Sequence, residues 1–384
     1  MRIGIDARMM GPECGGIGRY IEQLVKKLLE IDKKNQYILF LRKQNFSIVN
    51  CQLSNVKCVL ADIPWYSIAE QIKFKKIIKQ QNVDLMHFPH WNVPIFYNDP
   101  FVVTVHDLIM WHYPRAEAST LGPVAYWFKD RVSRLVVKHV VKAAKHIITT
   151  SEFTKNDIHQ ALGVPREKMT VTYQAPFERQ NLESRIWNLE SFPKNSKFQI
   201  PNSKFQKKPY VLYVGSAYPH KNLERLLEAW KIIEEKYADS YQLVLVGKES
   251  FFYSQLQATS YKLQAITFAG FVPDDELEAL YKNATLYIEP SLYEGFGLPP
   301  LEAMAHGIPV VSSNRSCLPE VLGEAALYFD PENVEQMAET ILRGLEDEDL
   351  RFELIQKGRE EIKRYSWAKL AEETREIYKK SLPL

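Results

Sequence analysis

Short apolar runs alternate with helix-patterned segments along this chain, in two separate series. The first opens with the strand-like run Ile3–Asp6. Between Ile17 and Leu29 the apolar residues Ile17, Ile21, Leu24, Val25, Leu28 and Leu29 then recur at helical spacing. Strand-like runs follow at Gln36–Leu41, Val83–Phe88, Phe101–His106, Lys145–Thr150 and Met169–Tyr173. Such alternation implies a parallel sheet covered by helices on both faces. The pattern lapses between Phe177 and Lys208, where Asn195–Gln199 and Asn202–Gln206 nearly repeat each other among Pro193, Pro201 and Pro209. That stretch reads as a linker or small insertion. Alternation restarts at Tyr210–Gly215, with a helix over Asn222–Tyr237 and strands at Gln242–Gly247, Ile266–Phe268, Thr285–Ile288 and Pro309–Ser312. An amphipathic helix, Trp367–Lys380, comes after the second sheet is complete. The predicted fold class is α/β, with two doubly wound Rossmann-like domains facing across a cleft. Residues 1–180 form the first domain, 181–208 the linker and 209–366 the second domain, and 367–384 is expected to pack back on the first. In open sheets of this kind, ligands bind outside the carboxyl ends of the strands.

Length supports the two-domain reading, because 384 residues exceed what one core usually serves. The balance of 49 basic against 47 acidic residues leaves a net charge of +2, which argues against bulk nucleic-acid binding. None of Cys14, Cys51, Cys58 and Cys317 forms a C-x-x-C pair, so zinc is not expected, and so few cysteines suit a reducing compartment. Charges at Asp6 and Arg8 interrupt any signal-peptide core, and no apolar run approaches a membrane span. The expected location is cytoplasmic, either free or at the inner face of the membrane.

Chemistry-bearing residues gather at strand ends. Between Pro290 and Gly307 two carboxylates, Glu294 and Glu302, stand eight apart. A glycine-bearing turn lies between them, and a helix start is expected at the second. A strand, a glycine loop and a helix N-terminus together favour an anion such as phosphate. Carboxylates beside it do not bind phosphate, so they are read as acceptors for sugar or ribose hydroxyls. The first loop brings bare backbone at Gly15 and Gly16 to another helix start. Ile21 occupies the place where a dinucleotide fingerprint needs glycine or alanine, and no P-loop motif occurs. His106 ends an apolar strand, with Asp107 placed to orient it. His87 and His90 suggest a loop lining an acceptor side rather than a metal site. In the second series Ser216 follows Gly215, and Lys221 stands at a helix entrance, either as a phosphate-binding charge or as a solvated neighbour of a capping Asn222. The backbone after Gly270, with Val272 and Pro273, is placed to meet a nucleobase, unless Asp274 simply caps a helix. A basic helix from Trp127 to Lys145 carries Lys129, Arg131, Arg134, Lys138, Lys142 and Lys145, as either an anionic-lipid surface or a solvated face.

Taken in order, these elements resemble the retaining glycosyltransferases of family 4, the group 1 type with the GT-B fold. The motifs that carry the likeness are Glu294 and Glu302 as E-x7-E, the run from Gly15 to Tyr20, His106 to Ile109, Ser151 to Lys155, and Pro319 to Val321. The resemblance implies that Lys221 holds a donor diphosphate and that Gly16 approaches it. It implies Glu302 on the ribose, Glu294 on the transferred sugar, and amides at Phe296, Gly297 and Leu298 on the phosphates. His106 would lie beside the reacting sugar and Val272 near the base. Many members carry Arg just after the glycine equivalent to Gly215; Ser216 stands there in this chain. The implied activity moves a sugar from a nucleotide-diphosphate donor, with mannose from GDP-mannose preferred, to a saccharide or lipid-linked saccharide in surface polysaccharide synthesis. Neither a cofactor nor a metal is expected. The alternatives are a sugar-nucleotide hydrolase or epimerase on the same fold, and a sugar-nucleotide-binding protein without catalysis.

Overall fold

The structure is a computed structural model that describes residues 1–48, 53–114, 122–176, 208–237, 240–260 and 263–382. Apart from Lys208, the linker assigned to 181–208 lies outside the described residues. So does the near-repeat within it.

The chain divides into two compact units. One comprises Met1–Gln174, Glu294–Phe296 and Tyr365–Leu384, and the other Ala175–Tyr293 and Gly297–Arg364. The strands of the first unit are β1 (Arg2–Asp6), β2 (Gln36–Leu41), β3 (Val56–Leu60), β4 (Leu85–Phe88), β5 (Phe101–Val105), β6 (His146–Thr149) and β7 (Met169–Val171). They form one parallel sheet in the order β3-β2-β1-β4-β5-β6-β7. The second unit contains β8 (Tyr210–Val214), β9 (Gln242–Val246), β10 (Ile266–Gly270), β11 (Leu286–Glu289), β12 (Val310–Ser313) and β13 (Ala326–Phe329). These are parallel in the order β10-β9-β8-β11-β12-β13. Each order reverses direction beside its first strand, between β1 and β4 and between β8 and β11. Such switch points open a crevice at the strand C-termini.

Burial explains which strands the sequence disclosed. β4, β5 and β11 are buried at every position, so they read as continuous apolar runs. The two strands that were not anticipated, β3 and β13, are sheet edges with mixed burial. Each is only four or five residues long and partly exposed, too short a run to stand out.

Within the first unit, the C-terminal helix Trp367–Ser381 packs along the first helix, Gly15–Ile31. Trp367 and Tyr378 are fully buried there. The Tyr378 hydroxyl bonds His87 Nδ1 at 2.7 Å, and His87 Nε2 meets Thr104 Oγ1 at 2.8 Å. His87 is therefore a satisfied core residue inside β4, not part of a loop lining an acceptor side. The basic helix spans Pro123–Ala143, so Lys145 lies beyond it, where its N–H bonds the Phe101 carbonyl. Val137, Val140 and Val141 anchor that helix in the core, whereas Trp127, Phe128 and Leu135 are exposed. Cys14 and Cys317 are free thiols, but Cys58 is disulfide-bonded, a pairing that the reading of a reducing compartment did not anticipate.

Candidate functional site

In the first unit the predicted residues lie at the C-terminal ends of β1, β4 and β5. The loop after β1 is tightly built. Asn45 Nδ2 donates to the carbonyls of Ala7 and Met10 at 2.9 and 3.1 Å. Gly18 is required where it stands, because a Cβ there would meet the Gly11 carbonyl at 2.0 Å. At Gly15 and Gly16, by contrast, a Cβ would meet nothing within 4 Å. Their bare backbone therefore leaves open space at the start of the helix.

His106 follows β5, and its Nε2 lies 2.9 Å from the Pro89 carbonyl. A carbonyl only accepts, so Nε2 carries the hydrogen and, in the neutral ring, Nδ1 does not. Burial pushes the His106 pKa down to about 4. The Tyr20 ring meets it edge-on at 4.7 Å, and His90 stacks on it at 6.4 Å. The orienting bond comes from Pro89 rather than from the expected Asp107, whose Oδ1 accepts from the Ile109 N–H at 2.8 Å.

Glu294, Gly295 and Phe296 belong to this same unit. The Gly295 carbonyl accepts from three hydroxyls: Ser151 Oγ at 2.7 Å, Thr150 Oγ1 at 3.0 Å and Thr154 Oγ1 at 3.3 Å. Ser151 also caps the helix Glu152–Leu162, where it accepts from the Thr154 N–H. The Phe296 ring packs on Tyr173 and Tyr365. A Cβ on Gly295 would lie 2.2 Å from the His106 carbonyl oxygen. Glycine thus lets the Glu294 segment lie directly against His106, and Glu294 itself is buried. The residues Thr150, Ser151 and Thr154 were not singled out as site residues, although the run from Ser151 to Lys155 had been quoted for its family likeness.

In the second unit the expected residues collect around β8 and β11. Gly215 follows β8 beside Tyr213, where a Cβ would meet the Tyr213 hydroxyl at 2.6 Å. That hydroxyl donates to the Ser216 carbonyl at 2.7 Å. Lys221 closes a short 3-10 turn, Pro219–Lys221, and Asn222 turns left-handed at φ 58°. Asn222 is more than a helix cap. Its Nδ2 donates to the Pro290 and Pro331 carbonyls at 3.1 and 2.8 Å, and the Leu292 N–H bonds the His220 carbonyl. These bonds stitch the Lys221 turn to the loop after β11. Buried Glu289, which sequence reasoning overlooked, accepts from Ser291 Oγ at 2.5 Å in the same turn. Its only sequence signal is a carboxylate ending an apolar strand.

Gly297 takes φ 86° and leads into the helix Leu298–Ala305, so the helix starts four residues before Glu302 rather than at it. Glu302 sits in the second turn, where the Tyr281 hydroxyl donates to its Oε2 at 3.1 Å. Tyr281 in turn stacks on His306. Val272 is half-buried just after β10, and the next helix begins at Asp274, which is therefore helical rather than the cap. Among the described residues, no group of three or more His, Cys, Asp or Glu is placed to hold a metal ion.

The buried histidines make stability acid-sensitive. Burial lowers His87 and His90 to about 3 and His106 to about 4. The unfolded chain binds these protons near pH 6.5 and the folded chain does not, so stability falls as pH drops below 6.5. Burial raises Glu70 and Glu373, which opposes this trend near their ordinary pKa, so the clear window is pH 6.5 to 5. Unfolding free energies from urea titrations across that window should decline by up to about 1.4 kcal/mol per pH unit for each histidine. A flat profile would contradict the neutral assignment.

Two families match this chain: "Glycosyltransferase Family 4" over residues 14–175 and "Glycosyl transferases group 1" over residues 195–361. The chain is 33% identical over 284 residues to O-antigen chain mannosyltransferase B of Escherichia coli, covering 72% of this chain and 70% of that one. Sucrose-phosphate synthase from Thermosynechococcus elongatus superposes with a TM-score of 0.72 at 20% identity, over 99% of this chain and 98% of that one. The Anabaena protein HepE, solved in complex with UDP and glucose, gives a TM-score of 0.67 at 16% identity, over 98% and 99%.

Proposed function

We propose that this chain, which belongs to the group 1 glycosyltransferases of family 4 and carries their GT-B fold, moves mannose from GDP-mannose to a saccharide or lipid-linked saccharide with retention at the anomeric carbon. The observation that carries the reading is Gly295, whose missing side chain lets Glu294 lie against the His106 backbone. In this reading the Glu294 carboxylate and the neutral His106 imidazole both serve the reacting sugar. The preference for mannose is supported by the Escherichia coli relative, whose name is a mannosyltransferase. Binding of a nucleotide sugar is supported by HepE, solved with UDP and glucose.

In this mechanism the bond from the anomeric carbon to the diphosphate breaks, and the sugar becomes oxocarbenium-like. Lys221 and the amides of Phe296, Gly297 and Leu298 stabilise the growing phosphate charge, with Gly15 and Gly16 leaving room for its approach. Ser216, standing where many members carry Arg, adds no cation, so Lys221 carries more of this work. Glu302 accepts from the ribose hydroxyls, and Val272 packs on the base. The acceptor oxygen attacks the same face, and its proton passes to the departing phosphate. These groups take the place of a divalent metal. Thermal-shift titration against GDP-, UDP-, ADP- and dTDP-sugars tests the donor. GDP-mannose should raise Tm most, since a ligand at 100 times its Kd adds about 2.7 kcal/mol. A larger shift with another base would overturn the GDP assignment.

The acceptor reading extends to a membrane face on the cytoplasmic side. No helix of the described residues is long and apolar enough to cross a membrane. The helix Pro123–Ala143 nevertheless exposes Trp127, Phe128 and Leu135 beside Lys129, Arg131, Lys138 and Lys142. Binding to anionic liposomes should weaken with salt and with Lys138→Glu plus Lys142→Glu. Binding indifferent to both would remove the membrane contact.

A further inference from the structure

Tyr66 has an unusual setting for an exposed residue. Its backbone is left-handed at φ 59°, a conformation that strains a side chain with a Cβ, and the residue is 59% exposed. The strain is held from two directions. The Tyr66 N–H donates to Glu70 Oε2 at 2.8 Å, and the hydroxyl lies 3.1 Å from His90 Nδ1. Glu70 opens a π-helical turn, Glu70–Phe74, a form often found at functional sites. It is almost fully buried and accepts from Arg8 Nη2 at 2.5 Å, while Arg8 also grips Asp6 and lies over the Phe74 ring.

The network fixes where each hydrogen goes. Glu70 Oε1 accepts from Asn92 Nδ2 at 2.9 Å, which sets the amide so that Asn92 Oδ1 faces His90 Nδ1 at 3.2 Å. His90 Nδ1 therefore carries a hydrogen, and the Tyr66 oxygen can only accept from it. The Trp91 indole N–H, a donor only, lies near the same oxygen and offers it no acceptor. The phenolic hydrogen of Tyr66 is thus directed at neither neighbour. His90 in turn stacks on His106.

We propose that Tyr66 is an acceptor-binding residue, its ring seating the apolar face of a pyranose and its phenolic hydrogen donating to a sugar oxygen. The inference rests on the sugar-transfer reading above, since its occupant is the acceptor saccharide. Charge narrows that occupant: Arg8 is held between Asp6 and Glu70, which leaves one negative charge over, and Asp107 also acts on the Tyr66 hydroxyl, so the surroundings repel a phosphate and suit a neutral sugar. The strain also has a use, because a left-handed residue points its ring where an extended one would not.

The test titrates methyl α-mannopyranoside into the full chain by saturation-transfer NMR, with GDP binding followed by calorimetry in parallel. Tyr66→Gly should raise the mannoside Kd about tenfold and Tyr66→Phe about threefold, while the GDP Kd stays unchanged. Glycine tolerates φ 59°, so Tyr66→Gly should keep or raise Tm, which a merely structural tyrosine would not allow. Wild-type mannoside affinity in Tyr66→Gly would overturn the proposal, as would absence of mannoside binding by the wild-type chain. Loss of GDP binding in every protein, with the mannoside response intact, would instead count against the donor reading and leave Tyr66 standing.

Discussion

Replacing Glu294 with Gln is expected to lower kcat on the order of 10²–10³-fold while the protein stays folded. The change keeps size and shape but exchanges an acceptor-only carboxylate for an amide that also donates. In the proposed reaction Glu294 accepts from hydroxyls of the transferred sugar, and its negative charge opposes the positive charge growing at the anomeric carbon. Both interactions strengthen as the bond to the diphosphate breaks, so their loss falls on kcat more than on KM. Folding should suffer little, because the segment is anchored through the Gly295 carbonyl and the Phe296 ring. A Tm within a few degrees of wild type with strongly reduced turnover is the expected pair of results. Turnover equal to wild type would remove Glu294 from its role.

Gly295→Ala should damage both stability and activity. The added methyl would sit 2.2 Å from the His106 carbonyl oxygen and 2.9 Å from Asp107 Cβ. The nearer obstacle is backbone, which cannot swing aside as a side-chain tip can. Either the Glu294 segment or the end of β5 must move, and three hydroxyl bonds to the Gly295 carbonyl must lengthen with it. Overpacking of this kind costs about 1–3 kcal/mol of stability. A shift of about 1 Å between Glu294 and His106 would lower kcat/KM by roughly 10²-fold or more. Calorimetric Tm and steady-state kinetics read the two effects separately. A variant with wild-type Tm and wild-type kcat/KM would show that the close approach of Gly295 to His106 does not exist in solution.

Much of this arrangement was legible in the sequence where function sits at the junction of strand and helix. Gly15, Lys221, Glu294 and Glu302 stand on short local patterns, and the central strands announce themselves because both of their faces are buried. Edge strands β3 and β13 lack that signal. The start of the helix before Glu302 was misplaced because Gly297 turns at φ 86° and the two prolines that follow suit a first turn. What local pattern does not carry is pairing over distance. Ser151 and Gly295 lie 144 residues apart, Asn222 and Pro331 109 apart, and Arg8 and Glu70 62 apart. His87 misled for a related reason: its partner Tyr378 is 291 residues away, so a core histidine looked like one in a loop.

The most direct test of sugar transfer with retention is a ¹H-NMR time course of GDP-mannose with methyl α-mannopyranoside as acceptor, run in the presence of EDTA. The account predicts that the donor's anomeric signal is replaced by an α-linked disaccharide signal at a rate unaffected by the chelator, and that Glu294→Gln slows this at least 10²-fold. A β-linked product, release of free mannose alone, or loss of transfer on chelation would contradict it.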